Sequence, residues 1–186
     1  MNKEGDMANF KDSPRFDVND EYMTRKSAWE DIYTYIPKKF KNGNKKTVVW
    51  EPFFGNGQSA KYLREMGFEV YSKNEDFFKV TKEKLDSKGI TLIVTNMPFS
   101  RKQHVFERLK VLGIPFILLL PTTTIHTLYF KNIFGDDKGI QLIMPYKKRQ
   151  YDKMGLAPGE KQNDNCSFYS LYVCWKVKMK KNIIFF

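Results

Sequence analysis

Residues 47–57, TVVWEPFFGNG, predict a buried strand that runs into a glycine-containing loop. The strand is apolar or β-branched, as is typical of a parallel strand covered on both faces. Gly55 and Gly57 allow a tight turn and let a ligand approach the backbone closely. A helical pattern follows from Gln58 to Met66, so its free N–H groups face the loop. A simple strand-to-helix turn has the same pattern, and the loop alone does not decide between a turn and a binding site.

Strand-like and helix-like segments alternate along the rest of the chain. Further strands are predicted for FEVYS at 68–72, TLIVT at 91–95, PFILLLP at 115–121, GIQLIMP at 139–145 and CSFYSLYVCWKV at 166–177. Helices are predicted for 26–36, 102–112 and 122–134, and residues 79–88 are helical or irregular. Such alternation is typical of an α/β fold with a mostly parallel sheet.

The composition favours a folded and basic protein. The chain has 186 residues, of which 41% are hydrophobic and 16% aromatic, enough to bury a core without disulfides or metals. A net charge of +11 favours polyanionic partners. Cys166 and Cys174 resemble neither a disulfide framework nor a metal site, so both are predicted to be buried thiols. The sequence contains no signal core and no apolar run of membrane length, which predicts a soluble intracellular protein.

A second polar segment follows another predicted strand. LIVTNMPFS at 92–100 ends its apolar run at Asn96, Met97, Pro98 and Phe99. Asn and Pro favour turns for reasons of backbone sterics alone, whereas open α/β sheets bind ligands at the carboxyl ends of parallel strands. If the two strands are neighbours, this segment lies beside the glycine loop. The pair of motifs therefore predicts a binding site at one edge of the sheet.

The two motifs, EPFFGNG at 51–57 and NMPF at 96–99, resemble those of S-adenosylmethionine-dependent adenine-N6 DNA methyltransferases, especially short phage and viral forms. The resemblance covers about residues 17–177. It includes DEYMTRKSAWEDI at 20–32, which is similar to the family's upstream cofactor segment, and KKRQYD at 147–152. The resemblance implies a Rossmann-like class I methyltransferase fold, with a mostly parallel seven-stranded sheet and an antiparallel last strand.

The resemblance also implies three groups of residues that bind S-adenosylmethionine. The glycine loop would bind the methionine part through Glu51, Pro52, Phe53, Gly55 and Gly57, with Glu51 near the amino group. The segment after the second strand of the sheet would bind the ribose and adenine through Asn74, Glu75, Asp76 and Phe77. An upstream segment would close over the cofactor through Tyr22 and Thr24.

Residues 96–99 would act on the target base. An adenine amine is a poor nucleophile because its lone pair is delocalised into the ring. If the Asn96 side-chain oxygen and the Met97 carbonyl each accept one amine hydrogen, the nitrogen can become more tetrahedral and needs no side-chain base. Phe99 would stack on the base, which must leave the double helix to reach such a pocket. Pro98 restricts the backbone of residue 97 to extended conformations.

Three positions depart from the family's pattern. Met97 and Arg25 stand where the family has proline, and Asn74 stands where it has the ribose-binding acid, with Glu75 adjacent as a substitute. The acceptor at Asn96 and the carbonyl at residue 97 remain. The main alternative to an active enzyme is therefore a catalytically silent nucleic-acid-binding protein on the same scaffold. A methyltransferase that acts on RNA or on a protein amide is a second alternative.

Binding of DNA is predicted for Lys147, Lys148 and Arg149 in a basic loop. About 87 residues follow Phe99, and the predicted strands use most of them, so we expect no separate target-recognition domain. Base recognition would come from short loops, chiefly 145–165, or from a partner protein or self-association.

The predicted organisation of the chain has three parts. Residues 1–16 are expected to be a flexible arm, 17–178 the methyltransferase domain, and 179–186 a basic and apolar tail. The expected location is the cytoplasm, or the nucleus of a host cell if the protein is viral.

Overall fold

A computed structural model of the protein describes residues 22–39, 46–153 and 168–186. Its strands are β1 Tyr22–Thr24, β2 Val48–Trp50, β3 Glu69–Tyr71, β4 Leu92–Asn96, β5 Phe116–Pro121, β6 Ile140–Met144, β7 Tyr151–Lys153, β8 Ser170–Trp175 and β9 Ile183–Phe185. Its α-helices are α1 Lys26–Glu30, α2 Gln58–Glu65, α3 Lys82–Ser87, α4 Lys102–Leu112 and α5 Leu128–Phe134. No helix in these ranges is long and apolar enough to cross a membrane.

The main sheet contains seven of the described strands, in the order β3-β2-β4-β5-β8-β6-β9. The strands β3, β2, β4 and β5 are parallel to one another, and β6 is parallel to β9. Strand β8 lies between β5 and β6 and is antiparallel to both. The prediction of a mostly parallel seven-stranded α/β sheet is confirmed. The strand predicted as the last, now β8, is antiparallel as expected, but β9 follows it in the chain and is parallel to β6. The neighbouring positions of β2 and β4 place the ends of these two strands at the same edge.

Helices cover both faces of the sheet, because the central strands are apolar on both faces. In β4, Ile93 packs in one core cluster, whereas Leu92 and Val94 pack in the other. The first cluster contains side chains of α3, α4 and α5, and the second contains side chains of α1 and α2. Alternate residues of a strand point to opposite faces, so the two clusters are separate layers.

Three short strands, β1, β7 and β9, lie where the sequence did not indicate a strand. Residues 151–153 belong to the segment predicted as a loop, yet they form β7 and pair antiparallel with β1. Residues 183–185 belong to the segment assigned to the tail, yet they form β9 beside β6. The main sheet therefore continues past β8. Short strands of this kind are decided by a distant pairing partner and carry a weak local pattern.

The predicted helix at 122–134 is divided. Residues 122–126 form a 3-10 helix, and α5 begins after Thr127, whose hydroxyl accepts a hydrogen bond from Phe130 N at 3.3 Å. A threonine cap starts a new helix because it satisfies a backbone donor of the first turn. The predicted helix at 26–36 is likewise divided into α1 and a 3-10 helix at Tyr33–Tyr35.

Cys174 lies on β8 and is a buried free thiol, as predicted. Burial raises the pKa of this thiol, because the thiolate is poorly solvated inside the protein. Cys166 lies outside the described residues, as do the predicted arm, residues 154–165 of the basic loop and the first two residues of the strand predicted at 166–177.

Candidate active site at the carboxyl edge of the sheet

Glu51 follows β2 and is 1% exposed at the carboxyl edge of the sheet. Its Oε1 accepts a hydrogen bond from Thr95 Oγ1 at 2.7 Å and another from Phe53 N at 3.2 Å. Its Oε2 accepts a hydrogen bond from Ser72 Oγ at 3.1 Å. Because Thr95 belongs to β4 and Ser72 follows β3, one carboxylate connects the ends of three adjacent strands.

The buried position of Glu51 changes its acidity. Burial raises the pKa of Glu51 to about 7, although the hydrogen bonds from Thr95, Ser72 and Phe53 N act in the opposite direction. Burial disfavours the charged form, and a nearby cation would favour it. Perturbed carboxyl groups of this kind are concentrated at functional sites. The Glu51 carboxylate is thus suited to binding a positively charged ligand group.

The glycine loop after Glu51 has the tight backbone that the sequence predicted. Gly55 has a φ of 51° and Gly57 a φ of 79°, a region that side chains rarely adopt. Gly57 N donates a hydrogen bond to Phe54 O at 2.7 Å, and α2 begins at the next residue. A Cβ atom at Gly55 would lie 3.4 Å from Met23 Sδ, so β1 packs against this loop. Glycine is therefore favoured at both positions, and access of a ligand to this backbone stays a prediction.

Asp76 and Phe77 stand in different environments. Asp76 Oδ1 accepts a hydrogen bond from Phe78 N at 2.9 Å and caps a 3-10 helix, while the residue remains exposed. The ring of Phe77 is buried, with its centroid 5.6 Å from Trp50 and 5.0 Å from Phe53. Most of the Phe77 ring surface is covered by these neighbours. Contact between Phe77 and a cofactor adenine stays a prediction.

Glu75 is paired within the chain. Its Oε1 accepts a hydrogen bond from the Tyr71 hydroxyl at 2.8 Å, and its Oε2 forms an ion pair with Lys84. The hydrogen bond from the Lys84 ammonium holds the pKa of Glu75 below its ordinary value. Asn74 beside it is exposed. Ribose binding by either residue stays a prediction, and for Glu75 it would have to share the carboxylate with Lys84.

The NMPF segment begins at the last residue of β4. The Asn96 Oδ1 atom is buried, and the Met97 side chain packs in the first core cluster. Pro98 and Phe99 are half-buried, and the Phe99 ring lies 5.5 Å from the Phe168 ring at an angle of 86°. Met97 thus contributes its side chain to the core, which gives a physical reason for a flexible apolar residue where the family has proline.

The upstream segment and the basic segment lie side by side. Met23 pairs with Asp152 in the β1–β7 ribbon, and Thr24 is buried. Arg25 Nε donates a hydrogen bond to Asp152 Oδ1 at 2.7 Å, and Arg25 Nη1 donates one to Gln150 Oε1 at 2.6 Å. The arginine that replaces the family's proline therefore connects the predicted cofactor segment to the predicted DNA-binding segment. Tyr22 lies in the same strand as Thr24.

The three predicted DNA-binding residues do not share one environment. Lys147 and Lys148 are exposed. The Arg149 side chain is 14% exposed, forms an ion pair with Asp31 and lies 5.3 Å from the Phe186 ring. Arg149 therefore connects the end of β6 to α1 and β9. Phosphate binding stays a prediction for all three residues, and the lysines have the better access to a partner.

Sequence reasoning did not identify Thr95 and Ser72 as members of the site. Both are small hydroxyl residues at the end of an apolar strand, and this position was the available signal. Open α/β sheets bind ligands outside the carboxyl ends of their strands, where both hydroxyls lie. Neither residue has a pattern of its own, so only the order of the strands reveals that both donate to Glu51.

The order of the strands, the helices on both faces and the glycine loop after β2 define a class I methyltransferase fold. No family model and no curated protein matches the sequence. A putative class I S-adenosylmethionine-dependent methyltransferase from Listeria monocytogenes has a similar structure, with a TM-score of 0.50 and 12% identity over 92% of this chain and 67% of that chain. A DNMT2 mutant from Spodoptera frugiperda gives a TM-score of 0.47 and 10% identity over 76% of this chain.

The similarity to the Listeria monocytogenes structure concerns the fold alone. At 10% and 12% identity the two comparisons identify no shared residue roles. The part of this chain that aligns with the DNMT2 structure spans 55% of that chain.

Proposed function

We propose that this chain binds S-adenosylmethionine and transfers its methyl group to the N6 amine of adenine in DNA. The observation that supports this most directly is the hydrogen bond between Thr95 and Glu51. It holds the end of β4, where Asn96 lies, against the loop that follows β2. Both motifs therefore lie at the same edge of the sheet, where one would bind the methyl donor and the other the acceptor. The Listeria monocytogenes protein with the similar fold is described as dependent on the same cofactor.

The residues around Glu51 fit the cofactor. A buried carboxylate gains most from a cationic partner, and the amino group of the cofactor is cationic at neutral pH. Gly55 and Gly57 keep the left-handed backbone of this loop free of β-carbons, so the methionine part would lie next to main-chain atoms. Pro52 and Phe53 form the first turn of the same loop. The bound cofactor would supply a methyl group on a positively charged sulfur atom.

On the acceptor side, Asn96 would bind the target amine. Its Oδ1 and the Met97 carbonyl would each accept one amine hydrogen, which favours a tetrahedral nitrogen with its lone pair directed at the methyl group. Phe99 would stack on the extruded base, and Pro98 would keep residue 97 extended. After transfer, the amine loses one proton to solvent. The packed Met97 side chain would hold the carbonyl in place without a second proline.

DNA is the proposed acceptor because of charge and resemblance. The net charge of +11 favours a polyanion. Lys147 and Lys148 are exposed near the same edge of the sheet, after β6. Neutralisation of phosphates by such lysines gives binding that weakens with salt.

The test is a transfer assay with radiolabelled S-adenosylmethionine, a mixture of DNA, RNA and protein acceptors, and digestion of the products to nucleosides. Label in N6-methyladenine from DNA is the expected result. Asn96→Ala should abolish the label and keep cofactor affinity within a few fold, whereas Asn132→Ala, an exposed asparagine on α5, should keep both. Label found in RNA or protein instead of DNA would identify that molecule as the acceptor. Cofactor binding without transfer to any acceptor would favour the silent scaffold, and no binding at millimolar cofactor would overturn the proposal.

A further inference from the structure

Two exposed tyrosines lie on neighbouring strands at the carboxyl edge of the sheet. Tyr146 is 73% exposed and Tyr169 is 51% exposed. Tyr146 follows the end of β6, and Tyr169 precedes the start of β8, which is antiparallel to β6. Ile143 and Tyr172 are the last recorded pair of these strands, and each tyrosine lies three residues beyond its member of that pair. Large exposed aromatic side chains in such an arrangement mark a binding surface more often than isolated ones do.

Each of these tyrosines has a lysine over its ring. Lys147 Nζ lies 5.2 Å from the Tyr146 ring centroid, and Lys148 Nζ lies 5.0 Å from the Tyr169 ring centroid. Both lysines are exposed. Proteins that bind single-stranded nucleic acid combine aromatic rings, on which bases stack, with cations that follow the phosphates. The two tyrosines and two lysines provide both components within one surface.

The turn that carries this surface is held in place from several sides. Tyr146 N donates a hydrogen bond to Phe186 O at 2.9 Å. Arg149 is anchored by its ion pair with Asp31, and Gln150 accepts a hydrogen bond from Arg25. A surface that is ordered before binding loses less conformational entropy when a ligand arrives.

The surface is also next to the candidate active site along the chain. Tyr169 directly follows Phe168, whose ring lies 5.5 Å from the ring of Phe99. Phe99 is the residue proposed to stack on the target base. Nucleotides next to an extruded adenine would therefore meet the tyrosines on leaving the pocket.

We infer that Tyr146 and Tyr169 stack on unpaired bases that flank the target, while Lys147 and Lys148 contact the adjoining phosphates. Paired bases are stacked on one another and hide their faces, so this surface selects an unpaired strand of DNA or RNA over a duplex. The position of the target nucleotide at Phe99 rests on the proposed function. The stacking itself does not, because it requires neither cofactor nor transfer.

The experiment measures binding without cofactor by fluorescence anisotropy. The probes are an oligothymidylate of about 16 nucleotides, an oligouridylate of the same length, and the oligothymidylate paired with oligoadenylate. The single-stranded probes contain no adenine, so their binding is independent of methyl transfer. Both single strands should bind at least about tenfold more tightly than the duplex. A difference between the two single strands would identify DNA or RNA as the preferred source.

Variants separate stacking from charge. The double variant Tyr146→Leu, Tyr169→Leu should weaken single-strand binding by about 10- to 100-fold and change duplex binding little. The variant Tyr146→Phe, Tyr169→Phe keeps both rings and should bind as the wild type does. The double variant Lys147→Ala, Lys148→Ala should reduce the dependence of binding on salt concentration. The double variant Lys38→Ala, Lys39→Ala removes the same charge from exposed positions before β2 and should leave that dependence unchanged.

Thermal unfolding of each variant shows whether it is folded. Equal affinity for single strands and duplex, or unchanged single-strand binding in the folded leucine variant, would overturn the inference. A protein that binds single strands through the tyrosines but transfers no methyl group would contradict the proposed function and leave the inference standing. Transfer to duplex DNA that is undiminished in the leucine variant would support the proposed function and contradict the inference.

Discussion

Thr95 Oγ1 lies 2.7 Å from Glu51 Oε1, and this hydrogen bond joins the two strands that carry the candidate motifs. The same carboxylate accepts donors from Ser72 and Phe53. A buried carboxylate is costly to ionise, yet its ionised form is the one that would bind a cationic group. Ionised Glu51 is therefore expected to lower the free energy of unfolding at the same pH at which it would bind a cationic group.

We predict that Glu51→Gln raises the free energy of unfolding at about pH 8 by on the order of 2 kcal/mol. The pKa of Glu51 is raised from 4.5 to about 7 in the folded protein. The stability that this group contributes is thus complete below its unfolded pKa and is lost as the pH rises through the folded pKa. The variant cannot ionise, so its advantage should disappear near about pH 4. Denaturant unfolding across this range measures the difference, and a pH-independent difference would contradict the assignment.

The same substitution should have the opposite effect on binding. Glu51→Gln removes the charge that faces the cofactor's amino group, and we expect a loss of about tenfold or more in affinity. For the wild type, affinity should rise as the pH passes about 7 and Glu51 ionises. Calorimetric titration with S-adenosylmethionine measures both. Glu69→Gln, an exposed acid on β3, is the control and should change neither quantity.

Two glycines with positive φ allow a matched comparison. Gly57 has a φ of 79° and Gly67 a φ of 90°, one at each end of α2. Alanine at either position is expected to cost about 1–2 kcal/mol through backbone strain. A Cβ atom at Gly57 would lie 3.3 Å from the Phe54 ring in the candidate loop, whereas no atom of the described residues, apart from its chain neighbours, lies within 4 Å of one at Gly67. Cofactor affinity should therefore fall in Gly57→Ala alone; equal losses in both variants would show that the loop has no special role.

The stability of the protein should be sensitive to the volume of the side chain at position 97, where the native residue is Met97. Its side chain is buried in the core cluster, so Met97→Ala should lower the free energy of unfolding by about 2–4 kcal/mol. Met97→Leu preserves the volume and should cost less than about 1.5 kcal/mol. Methyl transfer measured at a temperature where all variants are folded should follow the packing, since the carbonyl of residue 97 is positioned by it. Full activity in Met97→Ala would show that the packing of the Met97 side chain does not position the carbonyl of residue 97.

Arg149 is expected to behave differently from the two lysines before it. Lys147→Ala with Lys148→Ala should reduce the log-log salt slope of duplex binding by up to about 1.8, or 0.9 for each phosphate contact. Arg149→Ala should leave the slope almost unchanged and lower stability by on the order of 1 kcal/mol, because it removes the ion pair with the half-buried Asp31. Salt titrations of binding and thermal unfolding of both variants distinguish the two roles. A reduced slope in Arg149→Ala would instead support the prediction that this arginine binds phosphate.

The motifs at 51–57 and 96–99 could be located from the sequence because each depends on neighbours in the chain. A glycine must occupy a left-handed turn, and an apolar run that ends in polar residues marks the end of a strand. Their proximity was predicted on the condition that the two strands are neighbours, and β2 and β4 are neighbours in the sheet, with β3 on the outer side of β2. The pairing of Glu51 with Thr95 and Ser72 did not follow, because hydroxyl residues have no periodic pattern.

The sequence by itself determined the α/β class, the mostly parallel sheet and the two loops at its carboxyl edge, since these depend on hydrophobic periodicity and on glycine and proline sterics. Only the tertiary structure decided that Arg25 is bonded to Asp152, 127 positions away, and that Arg149 is bonded to Asp31. It also decided that residues 183–185 extend the sheet and that Phe77 and Met97 face the core. The physical reason is that a charged or aromatic side chain has the same local sequence signature whether its partner is solvent, a ligand or another segment of the chain.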